Sequence, residues 1–371
     1  MDFNFTEEQT MLRDTLARYL ADTYDFDSRQ KVVKGGAGWN PAVWTAFAEE
    51  LGILGAPFSE AHGGLGGGAV ENMVVMEEMG KALVLEPYLS TVVIGGGALK
   101  AVGGALADEL IPGIIGGSVR IALAAYEPQG RYHLNDVTST LKGGLLNGHK
   151  AVVEGASHAT HLLVTARTAG GQRDSAGVAL LLVPADAAGI TRRDYLTVHG
   201  TSASEVYFEN VAVGAGHVLG EDALPLIERI IDEATVAACA EACGVLKVLH
   251  ASTLDYAKQR KQFGKAIGDF QVIQHRLVDM FMEVEQAVSM TMMATLKLDS
   301  PERAAAVSMA KTKVAKACKF VGQNGVQVHG GIGITQELAV GHYFKRATLL
   351  ESLFGTSDHH LARYEALTLA A

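Results

Sequence analysis

The spacing of apolar residues along this chain changes twice, and that double change limits the fold more than any single motif. From Phe5 to about Ser118 apolar side chains recur at helical spacing, as in Met11, Leu12, Leu16, Tyr19 and Leu20, and again in Val43, Trp44, Phe47 and Leu51. Near Val119 the period shortens. Short β-branched and apolar runs follow at Ile121 to Ala125, Ala151 to Val153, His161 to Ala166, Val178 to Val183 and Glu205 to Phe208, with turn material such as Leu146-Asn147-Gly148 and Ala169-Gly170-Gly171 between them. Past Gly220 the helical period returns in long segments: Pro225 to about Lys261, Phe270 to about Leu298, Pro301 to about Val328, and Val340 to Leu353. The expected fold is multidomain α+β, with a helical N-terminal domain over 1–118, a β-rich middle domain over 119–220 and a helical C-terminal domain over 221–371.

Composition narrows the partners. The chain has 371 residues, 31 Lys and Arg against 41 Asp and Glu, a net charge of −10 and 48% hydrophobic residues, which excludes a disordered chain. The cations are not clustered as phosphate neutralisation requires, so nucleic acid is not the expected partner. Three cysteines, two of them (Cys239 and Cys243) one helical turn apart in an apolar run, suit a reducing compartment better than a disulfide framework. The opening residues lack the basic and apolar regions of a secretory signal, and Lys100, Glu109, Glu241 or Lys247 break the most apolar stretches before about 18–20 residues. A cytoplasmic protein without a membrane span is expected.

Several local signals fail when taken alone. The run Gly330-Gly331-Ile332-Gly333 sits between two helices, whereas a dinucleotide loop joins a strand to a helix. Cys239 and Cys243 lack the His or second Cys pair of a metal site and read as small buried hydrophobes. Adjacent histidines on a helix point about 100° apart, so Asp358-His359-His360 reads as a solvated terminal turn.

The joint pattern is more specific. Arg260-Lys261-Gln262-Phe263-Gly264 ends a long helix and is followed by Ile267-Gly268-Asp269-Phe270-Gln271; then come Gln327-Val328-His329-Gly330-Gly331-Ile332-Gly333 and Phe354-Gly355-Thr356-Ser357. In order and spacing this resembles the acyl-CoA dehydrogenase family over essentially the whole chain. The resemblance implies an N-terminal helical domain, a middle β-barrel-like domain, a C-terminal four-helix bundle, and FAD extended between subunits. It places Arg260 on the cofactor pyrophosphate, where a guanidinium suits better than an amine. Phe263 and Gln271 would line the adenosine side, Gln327 and Gly331 would approach the pyrophosphate, and Thr356 would meet the nucleotide at a helix start. Glu127-Pro128 matches the flavin-edge segment, but the hydroxyl and tryptophan that normally touch the flavin ring are missing from Tyr126-Glu127-Pro128-Gln129-Gly130 and Lys150-Ala151-Val152-Val153-Glu154.

Members of the family oxidise an acyl-CoA thioester to its trans-2-enoyl form, and a carboxylate removes the α-proton. A positioned general base of this kind is worth roughly 10² to 10⁴ in rate. Here both usual base positions lack one, since they hold Phe354 and Ala234. Glu233 adjoins the second position but points about 100° away, and Glu241 lies two turns on, on about the same face and about 10 Å along the axis. These two are the candidate bases, against a plain reading as ion-paired helix residues. Asp358 is a weaker candidate.

The resemblance supports two kinds of function. One is a dehydrogenase acting on an acyl-CoA, with electron-transfer flavoprotein or a similar acceptor. The other is a non-catalytic subunit that completes the FAD site of a partner, because some bacterial members that degrade steroid side chains are unequal α2β2 pairs. A homotetramer or an α2β2 heterotetramer follows, and an oxidase on the same scaffold is a third reading. The glycines Gly95-Gly96-Gly97 and the small residues Ala237, Ala238 and Ala240 leave room for a bulky or branched acyl group.

Overall fold

A computed structural model describes residues 4–369 of the chain; residues 1–3 and 370–371, the outer ends of the expected first and third domains, lie outside the described residues. The helical first block comprises α1 (Glu7–Thr23), α2 (Phe26–Lys34), α3 (Pro41–Glu49), α4 (Ala69–Ala82), a π-helical turn (Leu89–Gly95) running into α5 (Gly96–Val102), and α6 (Gly104–Ile115). Their starts are written locally. Thr6 and Gln9 form a reciprocal capping box at α1, with Gln9 N donating to Thr6 Oγ1 at 3.2 Å and Thr6 N to Gln9 Oε1 at 3.0 Å. Asn40 caps α3 and Pro41 takes its first turn.

The middle strands are β1 (Ile121–Ala124), β2 (Thr140–Lys142), β3 (Leu145–Glu154), β4 (His161–Arg167), β5 (Val178–Pro184), β6 (Ile190–Leu196), β7 (Ser202–Ala212) and β8 (Val218–Gly220). They form one sheet in the order β6-β7-β3-β2-β4-β5-β8, with β1 parallel to β4. The barrel-like expectation is corrected here: the sheet is open, because the edge strands β6 and β8 do not pair with each other. β8 is three residues long, and β6 carries Arg192, Arg193 and Asp194 and is exposed from Thr191 to Leu196, the kind of charged edge that resists further pairing. That same polarity hid β6 from its sequence pattern. The expected turn at Leu146-Asn147-Gly148 is also corrected. Those residues lie within β3, at a bulge against β7, and the hairpin turn falls at Gly143-Gly144, whose φ values of 59° and 76° suit glycine.

The last block holds α7 (Leu224–Gln259), a short hairpin of β9 (Lys261–Gln262) and β10 (Lys265–Ala266), α8 (Gln271–Leu296), α9 (Arg303–His329), α10 (Ala339–Ser352) and α11 (Ser357–Leu369). α9 packs against α8, α10 and α11. α7 is tied to α8 by Cys243 and Thr291, whose Sγ and Oγ1 lie 3.4 Å apart, and by His250 Nε2 donating to Leu277 O at 3.2 Å. Its 18-residue stretch of mean hydropathy 1.4 is long enough to cross a bilayer, and 78% of that stretch is buried inside the protein. Of the charges expected to break the apolar run, Glu241 pairs with Arg346 and Lys247 with Glu77.

Contacts group differently from the three sequence blocks. One compact unit comprises Met1–Arg29, Ala69–Val84 and Thr235–Ala371; the other comprises Gln30–Gly68 and Leu85–Ala234. In the first, α1 and α8 pack against α4, which crosses α7 with almost no side-chain spacing. A Cβ added to Gly80 would run into the Glu241 carbonyl, and one added to Gly244 into the Glu77 carbonyl. In the second unit the core lies on the sheet, among Leu146, Val153, Leu162, Val164, Leu181, Val206 and Phe208. There Ile121 and Phe58 stand beside Gly95 and Gly96, while near Gly97 the Glu233 carboxylate is the neighbour; in the first unit Ala237, Ala238 and Ala240 are buried.

The reciprocal glycine crossing makes a direct prediction. Gly244→Ala is a good helix substitution in isolation, yet here it forces two backbones apart, and it should lower unfolding free energy by at least about 2 kcal/mol in urea titration. An unchanged midpoint would contradict the crossing.

Candidate active site

Five of the six nucleotide-side residues gather at neighbouring helix ends of the first unit. α7 stops at Gln259, and the hairpin that follows is closed by Ile267 N donating to Arg260 O at 2.8 Å. Arg260 is exposed and has no ion pair among the described residues. Phe263, at φ 53°, stands at the hairpin tip with 92% of its surface exposed and meets Phe270 edge-on at 6.2 Å. Gln271 begins α8, and Gln327 lies in the last turn of α9, both exposed. Tyr256 joins the two ends: it stacks on His329 at 4.3 Å and its hydroxyl donates to His329 O at 3.4 Å, just before Gly330 and Gly331. Sequence reasoning gave Tyr256 and His329 no role.

Thr356 is the N-cap of α11, its Oγ1 accepting from His359 N at 3.3 Å. At Gly331 a Cβ would meet nothing within the chain, so the main chain there faces open space. An exposed guanidinium, the exposed Gln327 carboxamide and an open glycine turn form a donor set that fits a pyrophosphate, and the exposed Phe263 and Gln271 fit an adenosine. FAD fits these residues.

The carboxylates are placed very differently. Phe354 and Ala234, at the two usual base positions, are both buried. Glu241 is also buried, and Arg346 of α10 grips both its oxygens, at 2.5 Å from Nε and 2.7 Å from Nη2. Both oxygens of this carboxylate are engaged by the guanidinium, and taking up an α-proton would mean giving up a buried charge-assisted pair. Glu233 pairs with Arg229 one turn earlier at 3.0 Å, keeps 25% of its side chain exposed, and places Oε2 3.2 Å from where a Cβ on Gly97 would stand. Asp358 is exposed. His360 departs from the solvated reading: it is only 2% exposed, with Nε2 donating to Phe354 O at 3.1 Å.

The flavin-edge segment is built around a buried charge. Glu127 faces inward with a fully buried side chain, accepting from Lys150 Nζ at 2.7 Å, Thr138 N at 2.8 Å, Ser139 N at 3.0 Å and Gln129 Nε2 at 2.9 Å. Its carboxylate is thus used up within the domain, while Pro128 is exposed. Lys150, also fully buried, donates to Thr165 Oγ1 at 2.9 Å. Burial alone would raise the Glu127 pKa, but the ammonium and the Thr138 and Gln129 donors outweigh it and hold the carboxyl well below its usual range. Burial pushes Lys150 down to about 8, partly offset by Glu127. Val152, where the family tryptophan would stand, sits at φ 53° on the bulge between Lys150 and Val153 and is 58% exposed.

Residues 6–114, 122–211 and 224–366 match the N-terminal, middle and C-terminal domains of acyl-CoA dehydrogenase in turn. The probable acyl-CoA dehydrogenase YngJ of Bacillus subtilis is 30% identical over 96% of this chain and 97% of its own length. Among solved structures, the ChsE4-ChsE5 complex from Mycobacterium tuberculosis is 25% identical with a TM-score of 0.90, covering 100% of both chains. A single-residue variant of the Tcur3481-Tcur3483 steroid ACAD is 28% identical with a TM-score of 0.89 over 98% of each. The chain belongs to the acyl-CoA dehydrogenase family. It is an oxidoreductase of the CH–CH bond of acyl-CoA, and its cofactor is FAD.

The Glu127–Lys150 pair makes its own prediction. Removing the cation by Lys150→Met strands a buried carboxylate and should cost about 3–5 kcal/mol, and adding Glu127→Gln should restore more than half of it. The folded carboxyl titrates below its ordinary 4.5, so its contribution is complete above that value and is lost as pH falls further. Acid unfolding should therefore move to higher pH in a variant that loosens the pair, read by circular dichroism across a pH series.

Proposed function

We propose that this chain is one half of an unequal acyl-CoA dehydrogenase pair: it supplies the nucleotide half of an FAD site and its partner supplies the base that removes the α-proton. The observation that carries this reading is the state of the carboxylates. Neither usual position holds one, and the acid on the same helix face, Glu241, is spent on Arg346. FAD, when bound, accepts the hydride from the β-carbon. The chain's own residues bind and orient. Arg260 neutralises the pyrophosphate through a guanidinium that no internal acid competes for, Gln327 and the Gly331 main chain approach it, Gln271 lines the adenosine side, and Thr356 meets the nucleotide at the start of α11. Phe263 offers a face for the adenine and, being exposed, needs a cover that a second subunit can supply.

The ChsE4-ChsE5 structure is of a complex, and the Tcur3481-Tcur3483 protein is described as a steroid ACAD. The first likeness supports a two-chain assembly, which we read as α2β2, and the second a bulky, steroid-derived acyl-CoA as substrate. Electrons would pass to electron-transfer flavoprotein or a similar acceptor.

A self-sufficient homotetramer is the second reading, and Glu233 favours it: this acid holds only a surface ion pair, of the kind worth about 1 kcal/mol or less, and can release it at little cost.

Substitution separates the two. Arg260→Ala should weaken FAD binding about 10–100-fold in either case, measured by flavin fluorescence. In the assembly that turns over, Glu233→Gln and Glu241→Gln should each change kcat less than about threefold if the base is the partner's. A loss of 10² or more with Glu233→Gln, flavin still bound, would make that residue the base and overturn the paired reading.

A further inference from the structure

The turn between α10 and α11 is held by two buried polar side chains for which the chemistry has no other use. α10 ends at Ser352 and α11 begins at Ser357, and the intervening chain reverses through Phe354 at φ 60° and Gly355 at φ 131°. A left-handed phenylalanine costs about 1–3 kcal/mol and persists only where its surroundings impose it. The first of the two is Lys311, on α9 and 1% exposed. Its ammonium donates to Leu350 O and, at 3.3 Å, to Glu351 O. These are last-turn carbonyls, which a helix leaves without partners, and the negative end of the helix favours a cation there.

The second is His360, in the first turn of α11. Its Nε2 donates to Phe354 O, so the imidazole bridges back to the strained residue. Burial pushes this imidazole down to about 3, which keeps it neutral, with its proton on the nitrogen that faces the carbonyl. The rings of His359 and His360 also occupy the space beside Gly355, where any Cβ would collide with them. Between the two anchors lies Thr356, whose oxygens accept from His359 N and, at 3.1 Å, from His360 N.

We infer that Lys311 and His360 are positioning residues that jointly fix the Phe354–Thr356 turn, and through it the contact of Thr356 with the FAD nucleotide. This rests on Thr356 being a nucleotide contact, as proposed above. Lys311 sets where α10 stops, and His360 sets how the chain leaves it. An apolar side chain of similar volume would fill either space yet leave main-chain carbonyls buried without donors.

The test uses the full chain in whichever assembly retains FAD. Lys311→Met and His360→Leu should each raise the FAD dissociation constant about tenfold, the loss of one hydrogen bond of this kind, and should speed hydrogen exchange mainly in residues 349–361. His360→Gln, which keeps an N–H donor, should bind FAD within about threefold of the parent. Two results would overturn the inference: unchanged FAD affinity in both Lys311→Met and His360→Leu, or a His360→Gln variant as impaired as His360→Leu. Thr356→Val separates the underlying reading. If it binds FAD normally while Lys311→Met and His360→Leu do not, the Thr356 contact is wrong and the anchors act through the turn's main chain.

Discussion

Helix α7 can be buried only if α4 comes close enough to cover it, and that closeness is set by two glycines facing each other's backbones. Gly80 lies against Glu241 and Gly244 against Glu77, so the helices meet main chain to main chain. Of the charges beside the crossing, Glu241 is buried and has to be neutralised in place, while Glu77 keeps part of its side chain exposed. Arg346 does this for Glu241, and Lys247 with Lys81 does it for Glu77. One consequence is structural: α10 is fastened to α7. The other is chemical, because one candidate base, Glu241, is engaged by Arg346 through the same contact that fastens the helices.

Both units show this use of paired charge within apolar surroundings. In the sheet unit, Lys150 and Glu127 form the interior of the flavin-edge segment, and the residues next to them carry the departures from the family pattern at Val152 and Glu154. In the helical unit, Lys311 ends α10. Arg260, like Lys316 and Lys319, is left outward without an internal acid among the described residues, and it is the one we propose for the cofactor phosphates.

Much of this was legible in the sequence because it depends on period. The changes near Val119 and Gly220 locate the sheet, whose strands run from Ile121 to Gly220. What escaped depends on contacts between distant residues. Nothing near Glu241 announces Arg346, 105 positions away. The strand β6 was missed because an exposed edge strand carries no alternating apolar pattern, and the turn at Gly143-Gly144 was overlooked because Asn147-Gly148, a common turn pair, lies four residues further on and marks a bulge instead. His360 looked solvated because neighbouring histidines suggest a surface, whereas the left-handed turn before it folds the ring inward. For the site, the family spacing pointed to candidate binding residues, but it could not show that one of the two candidate carboxylates, Glu241, is paired with Arg346.

Whether this chain can remove an α-proton by itself decides between half of a shared site and a complete one. The most direct measurement is anaerobic: the purified chain, alone and then with a partner acyl-CoA dehydrogenase chain, is loaded with FAD, and the bleaching of the flavin absorbance is followed after addition of a bulky acyl-CoA. A shared site predicts no bleaching by the chain alone and rapid bleaching of about one FAD per pair once the partner is present. Full bleaching of one FAD per chain in the absence of any partner would contradict it.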